Sequence, residues 1–381
     1  MRFLHLSDLH IGKNVNGFLM LDEQRYAFEQ ITRYIENERP DAVVIAGDVY
    51  DRTVPGIEAV RLFDDFLTEL ASMNVTVMII SGNHDSPERL NFASRLLSDK
   101  KVFICGAFDG KLRNMKMTDK HGDVNFWLLP FIKPLSVRSL LDKETDRYGE
   151  ALAAVLNNTE IKFSERNVLV SHQFFTKAGI TPERSESEID PIGGLDAIDT
   201  SVIEKFDYVA LGHLHGAQRV GSDNIRYAGS PVKYSFSERD QKKSVTLVEL
   251  NKKGELNITL LPIKPIHDMR EIKGEIDVLM SKEISSQGNK EDYIRAILTN
   301  EEEIIDPAGK LRTVYPNIMS IDIRNSKTDI DLSDVMADAE KVDKLSPYDL
   351  FNEFFLDVNG SAMTEEQCNI IRQLMDAEGE Q

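Results

Sequence analysis

Side chains able to hold metal ions fall in five short motifs along this chain. They are Asp8 and His10 in Ser7-Asp8-Leu9-His10, Asp48 in Gly47-Asp48-Val49-Tyr50-Asp51-Arg52, Asn83 in Gly82-Asn83-His84-Asp85, His172 after Ser171, and His213 and His215 in Gly212-His213-Leu214-His215. Carboxylate, amide and imidazole donors without thiolate suit manganese, iron or zinc, and a carboxylate such as Asp48 can bridge two cations about 3.5–4 Å apart. Such a pair polarises a phosphoryl oxygen and lowers the pKa of bound water, so the chemistry implied is hydrolysis of a phosphate ester. Each motif alone has a plainer reading: an Asp-x-His arises by chance, Gly-Asn-His-Asp makes a turn, and a single histidine after a strand is an ordinary polar cap. Five in order, each closing an apolar run, do not arise that way. His5 falls on the opposite face of its run, and His121 and His267 are isolated, so none of the three joins the set.

The apolar runs are the elements that must position these residues. Phe3–Leu6, Ala42–Ala46, Val75–Ile80, Asn167–Val170 and Tyr208–Leu211 read as strands. In open α/β sheets the loops at strand carboxyl ends converge on a common crevice. On extended backbone Asp8 and His10, two apart, point to one side, as do His213 and His215. Helices are expected at Leu21–Glu38, Gly56–Met73 and Pro87–Ser98, the last entered by Ser86 as N-cap with Pro87 at the first helical position. This alternation predicts an α/β or layered α-β-α domain. Further strands follow at Ile225–Ala228, Ser244–Leu250 and Leu256–Leu261. Pro262 and Pro265 mark a boundary after residue 262. Beyond it Met269–Lys273, Tyr293–Leu298 and Ile318–Ile323 predict a small α+β module over 266–335. A helical tail over 346–381 carries a Thr364 capping box and two apolar stripes: Leu350, Phe351, Phe354 and Phe355, then Ile370, Ile371, Leu374 and Met375.

Composition narrows the class. With 381 residues, 41% of them apolar and 29% charged, the chain suits a main domain plus smaller modules. No apolar run approaches the roughly 18 residues of a membrane span, and Met1–Ile11 lacks a secretory h-region, so a cytoplasmic location is expected. Two distant cysteines, Cys105 and Cys368, give no disulfide framework. A net charge of -19 argues against nucleic-acid binding by general positive charge. Divalent cations in an acidic cluster would offset that locally.

The ordered motifs D-x-H, G-D-x-x-D, G-N-H-D, a strand-ending histidine and G-H-x-H resemble the signature of the calcineurin-like metallophosphoesterases. The resemblance implies a four-layer α/β fold, a β-sandwich flanked by helices. It places Asp8, His10, Asp48 and His215 around one metal and Asp48, Asn83, His172 and His213 around the other, two Mn2+ or alternatively Fe2+, Zn2+ or Mg2+. Met1–Gly12, Tyr208–His215 and Tyr227–Glu238 further resemble the SbcD-type nuclease subunits and their archaeal and eukaryotic double-strand-break repair relatives. That likeness implies a DNA exonuclease and endonuclease in repair, recombination and replication. It also implies that the small module caps the nuclease cleft, that the tail helices bind an SbcC-type coiled-coil ATPase, and that two copies of each subunit assemble. His84 matches the family's non-ligand catalytic histidine, and Asp51 the position whose carboxylate orients it.

Arg52 completes a string that resembles the protein phosphatases, where the arginine grips phosphate, which keeps a phosphomonoesterase as the second reading. A scaffold without catalysis is the third, and its mark would be lost ligands, of which there are none. No G-x-x-x-x-G-K-[ST] loop occurs, so dependence on ATP would have to come from a partner.

Overall fold

The computed structural model describes residues 1–177, 181–188, 197–325, 347–360 and 362–378. The chain divides into two units, Met1–Met269 and Arg270–Gln381.

The first unit is built on two six-stranded sheets. In one, β1 (Arg2–Leu6), β2 (Ala42–Ala46), β3 (Thr76–Ile80) and the strand Val102–Cys105 run parallel, and the hairpin Ser244–Leu250 with Leu256–Pro262 adds antiparallel to the free side of β1. In the other, Gly122–Leu129, β4 (Arg166–His172), β5 (Tyr208–Gly212) and Ser222–Tyr227 run parallel between the antiparallel outer strands Arg113–Asp119 and Gln218–Val220. Strands such as β2, Ala-Val-Val-Ile-Ala and buried throughout, carry no polar face because both faces are covered. Phe3, Val44, Met78, Phe126, Val168 and Tyr208 belong to one core contributed by both sheets, which makes the pair a sandwich. The helices Leu21–Glu38 and Ile57–Ser72 bury Phe28, Ile31, Phe63 and Phe66, with Phe28 and Phe66 stacked 4.3 Å apart. On the far side, Trp127, Leu169 and Val209 pack with Leu152 and Val155 of the helix Tyr148–Asn157. The result is the expected four-layer arrangement of helix, sheet, sheet and helix.

One expected helix is interrupted, and one hairpin has no counterpart in the sequence pattern. The helix Leu21–Glu38 forms as read, but Pro87–Ser98 is not continuous. It is capped by Ser86 as expected, then stops at Leu90 and resumes at Ser94–Leu97, because Ala93 adopts a left-handed φ of 58°. The hairpin Arg113–Asp119 with Gly122–Leu129 was not foreseen, since its outer strand Arg-Asn-Met-Lys-Met-Thr-Asp is largely exposed and has no apolar run. The chain divides after Met269. Residues beyond Pro262 stay bound to the first helix: Gln30 exchanges hydrogen bonds with the Lys264 backbone, and Glu23 accepts from the backbone N–H groups of Ile266 and His267.

The second unit contains a three-stranded sheet of Met269–Gly274, Tyr293–Leu298 and Ile318–Ile323, with a core of Ile272, Leu279, Ile294, Leu298, Leu311 and Ile318. Residues 326–335 of the expected module lie outside the described residues. Two tail helices span Pro347–Asn359 and Glu365–Glu378. Thr364 and Gln367 cap the second reciprocally, the Gln367 N–H donating to Thr364 Oγ1 at 3.3 Å and the Thr364 N–H to Gln367 Oε1 at 2.9 Å. Leu350, Phe354 and Ile370 are exposed, whereas the side chains of Leu374 and Met375 lie outside the described residues. Among the described residues no helix is long and apolar enough to cross a membrane.

Candidate metal centre

The loops after β1 to β5 meet at one edge of the sandwich. Backbone bonds lace the first two together: the Asp8 N–H donates to Gly47 O at 3.1 Å, that of His10 to Asp48 O at 3.0 Å and that of Ile11 to Val49 O at 2.9 Å. This geometry departs from the extended backbone expected. Asp8, His10, Asp48 and His213 all have positive φ, at 52°, 42°, 49° and 113°. Non-glycine residues seldom adopt such values, and when they do they concentrate at functional sites. The paired residues therefore face one region through tight turns, not through strand alternation. Glycines make room for the approach. A Cβ on Gly82 would sit 2.1 Å from Asp48 Oδ1, and one on Gly212 would sit 2.0 Å from Ala46 O.

Asp8, His10 and His215 bring ligand atoms within 4.8 Å of one another, as do Asp8, Asp48 and His172. All are buried. His10 Nε2 lies 3.6 Å from Asp48 Oδ2, and His172 Nε2 lies 3.2 Å from the same oxygen. Asn83 Oδ1 meets His172 Nε2 and His213 Nδ1, each at 3.1 Å. His172 turns its other nitrogen, Nδ1, to the Ala46 carbonyl at 2.7 Å.

The donor set fits a pair of divalent cations. His10 Nε2 and His215 Nε2 face each other at 3.1 Å beside two buried carboxylates. Buried charge of one sign is expensive unless paired or coordinated to metal. Oxygen and nitrogen donors from five loops, converging with Asp48 at the centre, meet that need. The closeness of these groups shows in their electrostatics. Burial opposes a charged His172, but the Asp48 carboxylate beside it prevails and pushes the ring up to about 9. Asp48 is likewise pushed up by burial, yet its proximity to His172 holds it well below the ordinary carboxylate range. His213 is driven down to about 3 by burial first and then by the His172 charge.

His84 sits beside this cluster, its ring 4.8 Å from that of His10. Its backbone N–H donates to Asp48 Oδ1 at 2.9 Å, and its Nδ1 lies 2.9 Å from the backbone carbonyl of Asp51. The expected contact to the Asp51 carboxylate is thus replaced by one to its main chain. That carboxylate pairs with Lys13 Nζ at 2.8 Å and lies 3.6 Å from His10 Nδ1. Arg52 is outside the cluster, 77% exposed, with its Nε 3.7 Å from Asp51 Oδ2. His5 is buried in the core against the Tyr208 hydroxyl and the Leu211 carbonyl.

Two supports escaped the sequence reading. Asp85, quoted only as the end of its motif, accepts backbone N–H groups from Gly82, Val49 and Tyr50 at 2.9–3.1 Å and so ties the second and third loops together. Gln24 donates to the His10 carbonyl at 2.8 Å and to the Tyr234 hydroxyl at 2.9 Å. An acidic residue two positions after Asn83 was the available signal for the first. Nothing in sequence spacing pointed to the second.

Residues 1–217 match the family model described as calcineurin-like phosphoesterase. Residues 265–359 match the model described as type 5 capsule protein repressor C-terminal domain. A protein of Staphylococcus epidermidis named as the SbcD subunit of nuclease SbcCD is 31% identical over 98% of this chain and 98% of its own length. Its namesake from Staphylococcus saprophyticus is 30% identical over 99% of this chain and 98% of its own. Among solved structures, TT1561 of Thermus thermophilus covers 68% of this chain and 98% of its own at 14% identity and a TM-score of 0.39. Five motifs converging at one sandwich edge, together with these full-length relatives, place the chain in the calcineurin-like phosphoesterase family, in the branch of the SbcD nuclease subunits.

Proposed function

We propose that this chain is a metal-dependent DNA nuclease, the catalytic subunit of an SbcCD-type complex. The observation that carries this is the convergence of all seven donors on one cluster, five of them buried and Asn83 and His213 half-buried, in a chain whose relatives match it end to end. Asp8, His10, Asp48 and His215 would hold one cation and Asp48, Asn83, His172 and His213 the other. Manganese suits this oxygen and imidazole set, with Fe2+, Zn2+ or Mg2+ as substitutes. When bound, such a pair supplies Lewis acidity and an activated water for in-line attack on a phosphodiester.

The chain's own groups orient and neutralise. Asp48 accepts from the His84 backbone, which fixes the ring beside the cluster. That ring, held at Nδ1 by the Asp51 carbonyl, stabilises charge on the transferring phosphate or protonates the leaving oxygen through Nε2. Arg52, extended into solvent, meets the polyanion outside the cluster. The small module of the second unit serves DNA recognition. The tail helices dock on the coiled coil of an SbcC-type ATPase, consistent with exposed Leu350, Phe354, Leu356, Val358 and Ile370. The assembly contains two copies of each subunit, acts in the cytoplasm and joins the nucleoid when on DNA, in repair, recombination and replication. Against the net charge of -19, the cation pair provides the local positive centre.

The test is the full chain with Mn2+, with and without the partner ATPase, on hairpin DNA, linear duplex and a phosphomonoester. DNA cleavage is expected, with ATP dependence only when the partner is present. Hydrolysis of the monoester alone would replace this reading with the phosphomonoesterase suggested by Gly47–Arg52.

A further inference from the structure

The stretch Tyr227–Glu238 contains none of the proposed metal donors. In the structure its last residue packs behind His215. With Nε2 facing His10, His215 places its other ring nitrogen, Nδ1, 2.8 Å from Ser187 Oγ and 3.4 Å from Glu238 Oε1. Ser187 Oγ is itself 2.7 Å from that carboxylate oxygen. Glu238 is fully buried, and its second oxygen pairs with buried Lys243 Nζ at 2.6 Å. The Lys243 ammonium also donates to the His215 carbonyl and to Ser230 Oγ, each at 2.9 Å. The His215 N–H donates to Glu188 Oε1 at 2.6 Å. Backbone and ring are therefore both held.

Counting protons sets the direction of this chain of contacts. A carboxylate paired with a buried ammonium is an acceptor only. The Ser187 hydroxyl has one hydrogen, and Glu238 takes it. Its lone pair must then accept from His215, whose proton is on Nδ1, leaving the Nε2 lone pair facing His10. A ligating histidine held this way at its far nitrogen has a fixed tautomer and ring orientation. We infer that Ser187 and Glu238, anchored by Lys243, are positioning residues that hold the His215 imidazole as an Nε2 donor toward the metal pair. This rests on the metal-centre reading above. It also distinguishes His215 from His10, whose buried Nδ1 has no hydrogen-bond partner among the described residues.

The test titrates Mn2+ into metal-free full-length protein by calorimetry, for the unchanged chain and for Ser187→Ala, Ser187→Thr and Glu238→Gln. The unchanged chain should take up two equivalents. Ser187→Ala should weaken one of the two sites about 10-fold, the low end for such partners because Glu238 Oε1 can partly take over at 3.4 Å. The other site should keep its affinity and the metal-free melting temperature should not move. Ser187→Thr, which restores the hydroxyl, should recover the lost affinity. Glu238→Gln should weaken the same site by about 10–100-fold. Unchanged affinity at both sites in Ser187→Ala and Glu238→Gln would overturn the inference. So would an equal loss at both sites with a lower metal-free melting temperature, which is general damage. An unchanged chain that takes up no Mn2+ would instead remove the metal-centre reading, and this inference with it.

Discussion

Replacing His84 by alanine separates what its ring does from what its backbone does. The backbone N–H of His84 donates to Asp48 Oδ1 at 2.9 Å, and alanine keeps that bond. A His84 ring nitrogen comes within 4.8 Å of ligand atoms of His10 and Asp48, but His84 is not one of the seven proposed cation ligands, so the substitution leaves those in place. What disappears is an imidazole pinned through Nδ1 to the Asp51 carbonyl at 2.9 Å. Loss of one preorganised donor to developing charge typically costs about 10²–10³ in kcat, or about 2.7–4 kcal/mol. If the ring also protonates the leaving oxygen, the loss extends to about 10⁴. His84→Ala should therefore bind Mn2+ with the stoichiometry of the unchanged chain and cleave DNA at least about 100-fold more slowly at saturating substrate. The assay is single-turnover cleavage of a labelled hairpin, with metal content measured on the same preparation. Asp51→Asn is the control, since it retains the carbonyl that holds the ring, and should slow cleavage less than His84→Ala does. Normal turnover in His84→Ala would refute the role of the ring. Loss of metal in that variant would refute the separation of ring from backbone.

Chelation with EDTA should abolish cleavage and lower the melting temperature, because a ligand that binds only the folded chain stabilises it, and Mn2+ should restore both; a melting curve indifferent to chelator would count against a resident metal. Asp119→Ala should destabilise the first unit by up to about 3 kcal/mol, the low end for breaking a buried pair, because buried Arg166 loses the carboxylate paired at 2.6 Å but keeps the carbonyls of Gly122, Leu250 and Asn251. Arg166 hydrogen bonds hold Asp119 well below the ordinary carboxylate range, so its contribution is full above about pH 4 and is lost as pH falls toward its folded pKa. Melting of the unchanged chain and Asp119→Ala at pH 7 and pH 3 should show the gap between them narrow in acid. Deleting residues 346–381 should abolish association with an SbcC-type ATPase while sparing cleavage of single-stranded DNA by the isolated chain. Co-elution of the truncated chain with the ATPase would refute the docking role of the tail.

Much of the fold was legible from local pattern. The strands Ala42–Ala46, Ser244–Leu250, Tyr293–Leu298 and Ile318–Ile323 and the helix Leu21–Glu38 have the bounds read from sequence, because short apolar runs and helical spacing are local properties. A largely exposed outer strand such as Arg113–Asp119 has no such pattern to read, and a single left-handed residue, Ala93, breaks a helix whose composition does not forbid it.

The candidate site divides along the same line. Residue type and order alone picked out the seven proposed donors, since coordination chemistry restricts which side chains can serve and the motifs close successive strands. Tertiary structure decided how they converge. The left-handed turns at Asp8, His10 and Asp48 replace strand alternation as the reason the donors share one space. It also decided that the Asp51 carbonyl, not its carboxylate, holds His84, and that Ser187, Glu238 and Lys243, scattered over 57 positions of chain, meet behind His215. Sequence specifies which groups can donate and accept. Which of them come within 3 Å of one another depends on how two sheets pack, and that is a property of the folded chain as a whole.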